Sequence, residues 1–164
     1  GTYPLPEAQL DLFMVSLRID YPSAAAEAEI LRATTGAPSP ALNRICAAET
    51  LLELQPLVRR IHVPESAVDF AVRLVQSTRP DSTSAPAVVK RCVQWGAGPR
   101  ATQSLALAAK VTAALDGRFN CSAADIAASA KVVLRHRLVL NYRAEVDQMN
   151  ADRIVDELLQ GMKR

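Results

Sequence analysis

Few residues in this chain have the means to do chemistry, and the most telling of them is an arginine at the head of a helix. In Trp95-Gly96-Ala97-Gly98-Pro99-Arg100-Ala101 two glycines and a proline stop one element, and Arg100 sits on the first turn of the next. Gly98 can serve as N-cap and Pro99 as the first helical residue, where a missing N–H costs nothing. A helix N-terminus already favours anions, so a guanidinium beside it is well placed to meet a phosphate. The same macrodipole repels a cation, which leaves the plainer reading of a surface arginine open.

A second basic cluster is Arg135-His136-Arg137. It lacks further Lys or Arg on one face and the stacking aromatics that nucleic-acid binding uses. It reads as a solvated helix end or as a partner for carboxylates, and His136 carries no metal or acid–base role. Trp95 reads as a packing residue. A phosphate-cradling loop would need G-x-x-x-x-G-K-[ST]; the glycines stand at 1, 36, 96, 98, 117 and 161, and none has that spacing. Neither His-Glu-x-x-His nor Gly-x-Ser-x-Gly occurs, so catalysis by this polypeptide alone is not expected. Cys46, Cys92 and Cys121 are far apart, and His62 and His136 do not complete a zinc pattern with them. Three reduced thiols in a cytoplasmic protein are expected. No apolar run approaches the ~18 residues of a membrane span, and no secretory signal is present.

These residues need elements to hold them. The chain has 164 residues, enough for one domain or one domain and a piece of another. Hydrophobic residues make up 49% and aromatic residues only 4%, so a core must be built mainly of Ala, Leu, Val and Ile, which suits close-packed helices. A net charge of +2 is too mild to imply nucleic acid or an anionic membrane.

Residues 1–8 read as a proline-bearing loop leading to a short helical turn. Phe13, Val15, Leu17 and Ile19 alternate with Ser16 and Arg18, which predicts a short strand over 13–19 whose sheet partners lie outside this chain. Ser23 caps a helix over about 24–33, and Gly36, Pro38 and Pro40 mark a turn. Leu51, Leu54 and Val58 predict a helix over 48–60 that Pro56 kinks or shortens. A helix after Pro64 carries Ala67, Ala71, Leu74 and Thr78 on one face. Residues 79–86 are a loop, and 88–95 are ambiguous between strand and irregular lead-in. Ala101, Leu105, Ala108, Thr112 and Leu115 mark a helix over 99–116 that Gly117 stops. Ser122 caps a helix with Ile126, Ala130, Val133 and Leu134 inward. Residues 141–149 read as a polar connection, and Asn150 caps a last helix with Ile154, Val155, Leu158 and Leu159, closed by Gly161. The expected fold is mainly α, a bundle of five or six helices preceded by one strand left over from an α/β core.

At these residues the chain resembles the MoxR-type AAA+ ATPases. The opening Gly1-Thr2-Tyr3-Pro4-Leu5-Pro6-Glu7-Ala8-Gln9-Leu10-Asp11, with Phe13, is similar to the segment that follows sensor 1. Ile19-Asp20-Tyr21-Pro22 resembles the strand end and linker that leave the α/β core. The run from Gly96 to Ala101 resembles the sensor 2 motif, usually Gly-Ala-Ser-Pro-Arg-Ala. Asp116-Gly117-Arg118 and Val133-Leu134-Arg135-His136-Arg137-Leu138 match later signatures in the same order, so the resemblance spans nearly the whole chain.

The resemblance implies a C-terminal piece of such a protein: residues 1–22 as the tail of the core and 23–164 as the helical lid. Opening on Gly1 rather than Met agrees with a cut inside a longer protein. Walker A, Walker B and sensor 1 would lie in the missing N-terminal core. Arg100 would be the sensor 2 arginine, reaching the phosphates of ATP and coupling lid angle to nucleotide state. ATP and Mg²⁺ are expected in the intact protein, and neither is expected on this fragment alone. Partners implied are that core, neighbouring subunits of a hexameric ring, and von Willebrand A-type or metalloprotein clients of a chaperone-like activity. The chain departs from the pattern twice. Gly98 replaces a serine, which a helix cap tolerates. Leu12 stands where the family reads Leu-Asp-Arg-Phe and expects its arginine finger, so three expectations stay open: poor ATP hydrolysis, use of another arginine, or action mainly as a nucleotide-binding switch. Two other classes stay open: an independent helical interaction module, and a nucleic-acid-binding domain using Arg135, Arg137 and Arg143.

Overall fold

Small apolar residues at helical spacing build this molecule, and the computed structural model describes residues 3, 5–36 and 42–162 of it. In chain order these form α1 (Glu7–Leu10), α2 (Ala24–Thr35), α3 (Ala48–Arg60), α4 (Glu65–Ser77), α5 (Ala87–Cys92), β1 (Val93–Trp95), α6 (Pro99–Leu115), α7 (Ala123–Leu134), β2 (Val139–Leu140), α8 (Tyr142–Val146) and α9 (Ala151–Gly161). Gly1, Thr2 and Pro4 of the opening motif, and Pro38 and Pro40 of the expected turn, lie outside the described residues.

The chain divides into two compact units, Gly1–Ser16 with Pro56–Arg164, and Leu17–Gln55. The first holds the core. α6 presents Ala101, Leu105, Ala109 and Ala113 at four-residue intervals, all fully buried. α7 packs along it with Ile126, Ala130, Val133 and Leu134. α4 lays Ala67, Ala71 and Leu74 against both helices, and α9 packs Ile154, Val155 and Leu158 on α7 and α4. Each fully buried Leu or Ile contributes about 1.5–3 kcal/mol over leaving it exposed. No aromatic side chain is among the described buried residues, in line with the mainly Ala, Leu, Val and Ile core expected from the composition.

Helix ends follow the sequence signals. The Ser23, Ser122 and Asn150 side chains each accept a backbone N–H of the turn they open, and Gly117 takes a positive φ of 71° just past α6. The ambiguous stretch 88–95 resolves into α5 and β1. β1 pairs antiparallel with β2, Val93 opposite Leu140 and Trp95 opposite Val139. Residues 141–149, expected as a plain connection, contain α8 capped by Asn141.

In the second unit no residue of α2 is buried, and Ile30 and Leu31 are exposed. α3 keeps its helix through Pro56 to Arg60, neither broken nor shortened there.

The strand expected over 13–19 does not form. A chain turn at Asp11 and Leu12 passes through a bend at Phe13 and Met14 into irregular backbone. A strand needs a ladder to satisfy its backbone groups. Here the Ser16 N–H donates to the Val132 carbonyl, and carbonyls of residues 13, 14 and 16 accept from side chains instead.

Candidate functional site

The turn before α6 is fastened to the end of α4, and that fastening places Arg100. Thr78 is fully buried, and its Oγ1 accepts the Ala97 N–H at 2.9 Å. Arg79 Nε donates to the Ala97 carbonyl at 3.1 Å. Gly96 lies so close to α4 that an added Cβ would sit 2.5 Å from the Thr78 carbonyl oxygen and 2.7 Å from the Arg79 Cα. Only glycine fits there. At Gly98, by contrast, a Cβ would meet nothing within 4 Å, and the backbone is extended, so the residue acts as an N-cap without being sterically required. Pro99 follows at the first helical position and Arg100 at the second.

Arg100 is a surface side chain, 57% exposed, with Nη1 3.5 Å from Asp11 Oδ2. Asp11 ends α1, and its other oxygen, Oδ1, accepts from Arg137 Nε at 2.9 Å. Arg137 is the opposite of Arg100: its side chain is 1% exposed. It donates further to the carbonyls of Asp11, Phe13, Met14 and Val133 and to Ser104 Oγ of α6. A desolvated guanidinium is tolerable only when its donors are answered this completely. Arg135 continues the clamp, donating to the Ser16 carbonyl at 3.2 Å and to Asp152 at 3.0 Å. His136 Nε2 lies 3.0 Å from the Phe13 carbonyl and so carries the proton that the oxygen accepts, while its buried Nδ1 has no partner. Burial pushes the His136 pKa below its ordinary value.

Sequence reasoning thus placed Arg100 correctly at an exposed helix head but missed the network around it. Arg135-His136-Arg137 is neither solvated nor paired with carboxylates alone; it binds the backbone of residues 11–16. Asp11 gained no role from the sequence, because nothing local signals a contact across 126 positions to Arg137. Leu12, the position expected to hold a finger, is 64% exposed and brings no cation to the cluster.

Asp116-Gly117-Arg118 serves structure. Arg118 donates through both Nη atoms to Asp125, at 2.9 and 2.7 Å, and Asp125 completes the capping box with Ser122. These bonds, Arg118 first, hold the Asp125 carboxyl well below the usual carboxylate range despite its burial. Among the described residues no group of three or more His, Cys, Asp or Glu could hold a metal, and no helix is long and apolar enough to cross a membrane.

A family model described as the AAA lid domain matches residues 85–158, from the loop before α5 into α9. Chaperone MoxR1 of Mycobacterium tuberculosis is 36% identical over 160 residues, covering 98% of this chain and 42% of that protein. These likenesses are consistent with a C-terminal piece of a MoxR-type AAA+ ATPase. YeaC of Bacillus subtilis, described as uncharacterised, is 34% identical over 164 residues, 99% of this chain and 48% of that relative. The crystal structure of a candidate ATPase from Cytophaga hutchinsonii superimposes with a TM-score of 0.88 at 29% identity, over 98% of this chain and 49% of that one. The chain therefore spans less than half the length of each of these three proteins. Its lid match contains Arg100, Arg118 and Arg137 together.

Proposed function

We propose that this chain supplies the helical lid of an ATP-driven MoxR-type machine, with residues 1–22 as the tail of its nucleotide-binding core and 23–164 as the lid, and that Arg100 is its sensor 2 arginine. One observation carries the reading: Arg100 is exposed at a fastened helix head, and the carboxylate it faces is also held by a buried arginine. Two guanidiniums against one carboxylate leave the cluster with surplus positive charge, which suits a polyphosphate. ATP bound to the intact protein supplies the phosphoanhydride to be cleaved, and the groups that hold its Mg²⁺ are assigned to residues outside this chain. The part of this chain is to deliver one cation and to tie that delivery to the lid. The clamp of Arg135, His136 and Arg137 on residues 11–16 is the joint through which such a movement passes to the core tail. A hexameric ring, and chaperone-like action on von Willebrand A-type or metalloprotein clients in the cytoplasm, follow from the family alone.

The test is Arg100→Ala in the intact protein. Loss of a charged hydrogen bond is worth roughly 1.5–3 kcal/mol, so affinity for a non-hydrolysed ATP analogue falls about 10- to 100-fold while ADP binding changes less. Unchanged affinity overturns the sensor 2 reading and favours an independent interaction module. Leu12→Arg tests the empty finger position: turnover should rise, since such an arginine contributes ~10³–10⁵ in rate where it is used. No gain in turnover means that Leu12 does not limit hydrolysis. The nucleic-acid reading keeps only Arg143 as an exposed cation, because Arg137 is buried and Arg135 is only 14% exposed and paired with Asp152.

A further inference from the structure

Asp11 faces two arginines of unequal freedom, and this inequality assigns it a role that rests on reading Arg100 as sensor 2. Oδ1 is fixed by Arg137, whose remaining donors are spent on backbone carbonyls and Ser104 inside the fold. The carboxylate therefore cannot follow a moving partner. Oδ2 faces Arg100 at 3.5 Å, a loose ion-pair distance, and Arg100 reaches it from an exposed position. Of the three groups, the Arg100 side chain is the one able to leave.

We infer that Asp11 is a positioning carboxylate that parks Arg100 when no triphosphate is present, and that Arg100 exchanges this partner for the terminal phosphate of ATP. No bond is made or broken covalently; one ion pair replaces another. Parking has a direction. A contact made only in the nucleotide-free state lowers the apparent affinity for the ligand that must break it. Asp11 thereby acts against ATP and not against ADP, which lacks the phosphate that Arg100 would reach. Because Asp11 sits beside Leu12, on the segment clamped by Arg137, the parked state also depends on that segment being docked.

The experiment is a double-mutant cycle in the intact protein, reading equilibrium affinity for a non-hydrolysed ATP analogue and for ADP. Exposed ion pairs are worth little, so Asp11→Asn should tighten the ATP analogue by about two- to fivefold and leave ADP unchanged. Asn keeps an acceptor for Arg137 while removing the charge. In an Arg100→Ala background the gain from Asp11→Asn should vanish. Weaker or unchanged ATP-analogue binding in Asp11→Asn, with Arg100→Ala still impaired, overturns parking and leaves the sensor reading intact. Arg100→Ala without effect overturns the sensor reading itself. Should Asp11→Asn fail to fold, crystal structures of the unsubstituted intact protein decide. Arg100 should lie on Asp11 without nucleotide and on the phosphate with the analogue, Asp11 staying on Arg137. An Arg100 away from Asp11 in the nucleotide-free form, or touching Asp11 and phosphate together, overturns the inference.

Discussion

Arg100 and Arg137 meet the same carboxylate, yet one is exposed to solvent and the other is enclosed by the fold. The Arg137 side chain is 1% exposed and every direction around it ends in a carbonyl, a carboxylate or a hydroxyl of the fold. The Arg100 side chain is 57% exposed and meets Asp11 at 3.5 Å. Solvation makes the difference. Where water is excluded, each N–H must be answered by protein, and the arrangement becomes fixed. Where water remains, a guanidinium can trade one anion for another at small cost. The first kind of arginine joins segments of the fold; the second kind is the one that the proposed sensor role requires.

The sharpest way to break this comparison is Arg137→Ala. Removing one partner from a buried, hydrogen-bonded ion pair costs about 3–5 kcal/mol, because Asp11 and the carbonyls of residues 11–14 lose their donor. Urea unfolding should show that loss, and proteolysis should cut residues 11–16 first. A cost below ~1 kcal/mol would put Arg137 in the same class as Arg100.

Asp125 extends the comparison to a buried acid. Asp125→Ala removes its bonds to Arg118 and the cap on the Ser122 N–H, about 2–3 kcal/mol together. The pH dependence has a definite sign. The folded carboxyl titrates below its unfolded value of about 4, so its stabilising contribution is fully present above that pH and is lost as pH falls through the acid range. Urea midpoints measured from pH 7 downward should decline less steeply in Asp125→Asn than in the parent chain. Parallel declines would mean that other carboxylates govern the acid limb.

How much of this was open to a reader of the sequence depends on the range of the interaction. α4, α6, α7 and α9 were legible because their signals are local: apolar spacing, Ser122 and Asn150 before a helix, Gly117 after one. The head of α6 was legible for the same reason, and so was the exposure of Arg100. Arg135-His136-Arg137 was half legible: the pairing with carboxylates is there, through Asp152 and Asp11, but three basic residues look alike until the fold buries one of them. The strand over 13–19 was misread for the complementary reason. Its alternation is real, but alternation forms a strand only beside another strand, and here Arg137, His136 and Arg135 take the carbonyls instead. α8 went unseen because five residues carry too little periodicity.

The smallest expected effects lie within the turn that carries Arg100, where two glycines two positions apart can be told apart by one side chain. Gly96→Ala drives a Cβ to 2.5 Å from the Thr78 carbonyl, a backbone atom that cannot swing aside, so the turn must shift off α4. The cost should be about 1–3 kcal/mol of stability. Displacing the turn also displaces the head of α6, so ATP-analogue affinity should fall in the same variant. Gly98→Ser meets open space and supplies a better cap, so stability should change by no more than ~0.5 kcal/mol, toward greater stability. Thermal melts with nucleotide titrations of both variants separate the two roles. If Gly98→Ser proved as damaging as Gly96→Ala, the N-cap rather than the fastening to Thr78 would be what holds Arg100 in place.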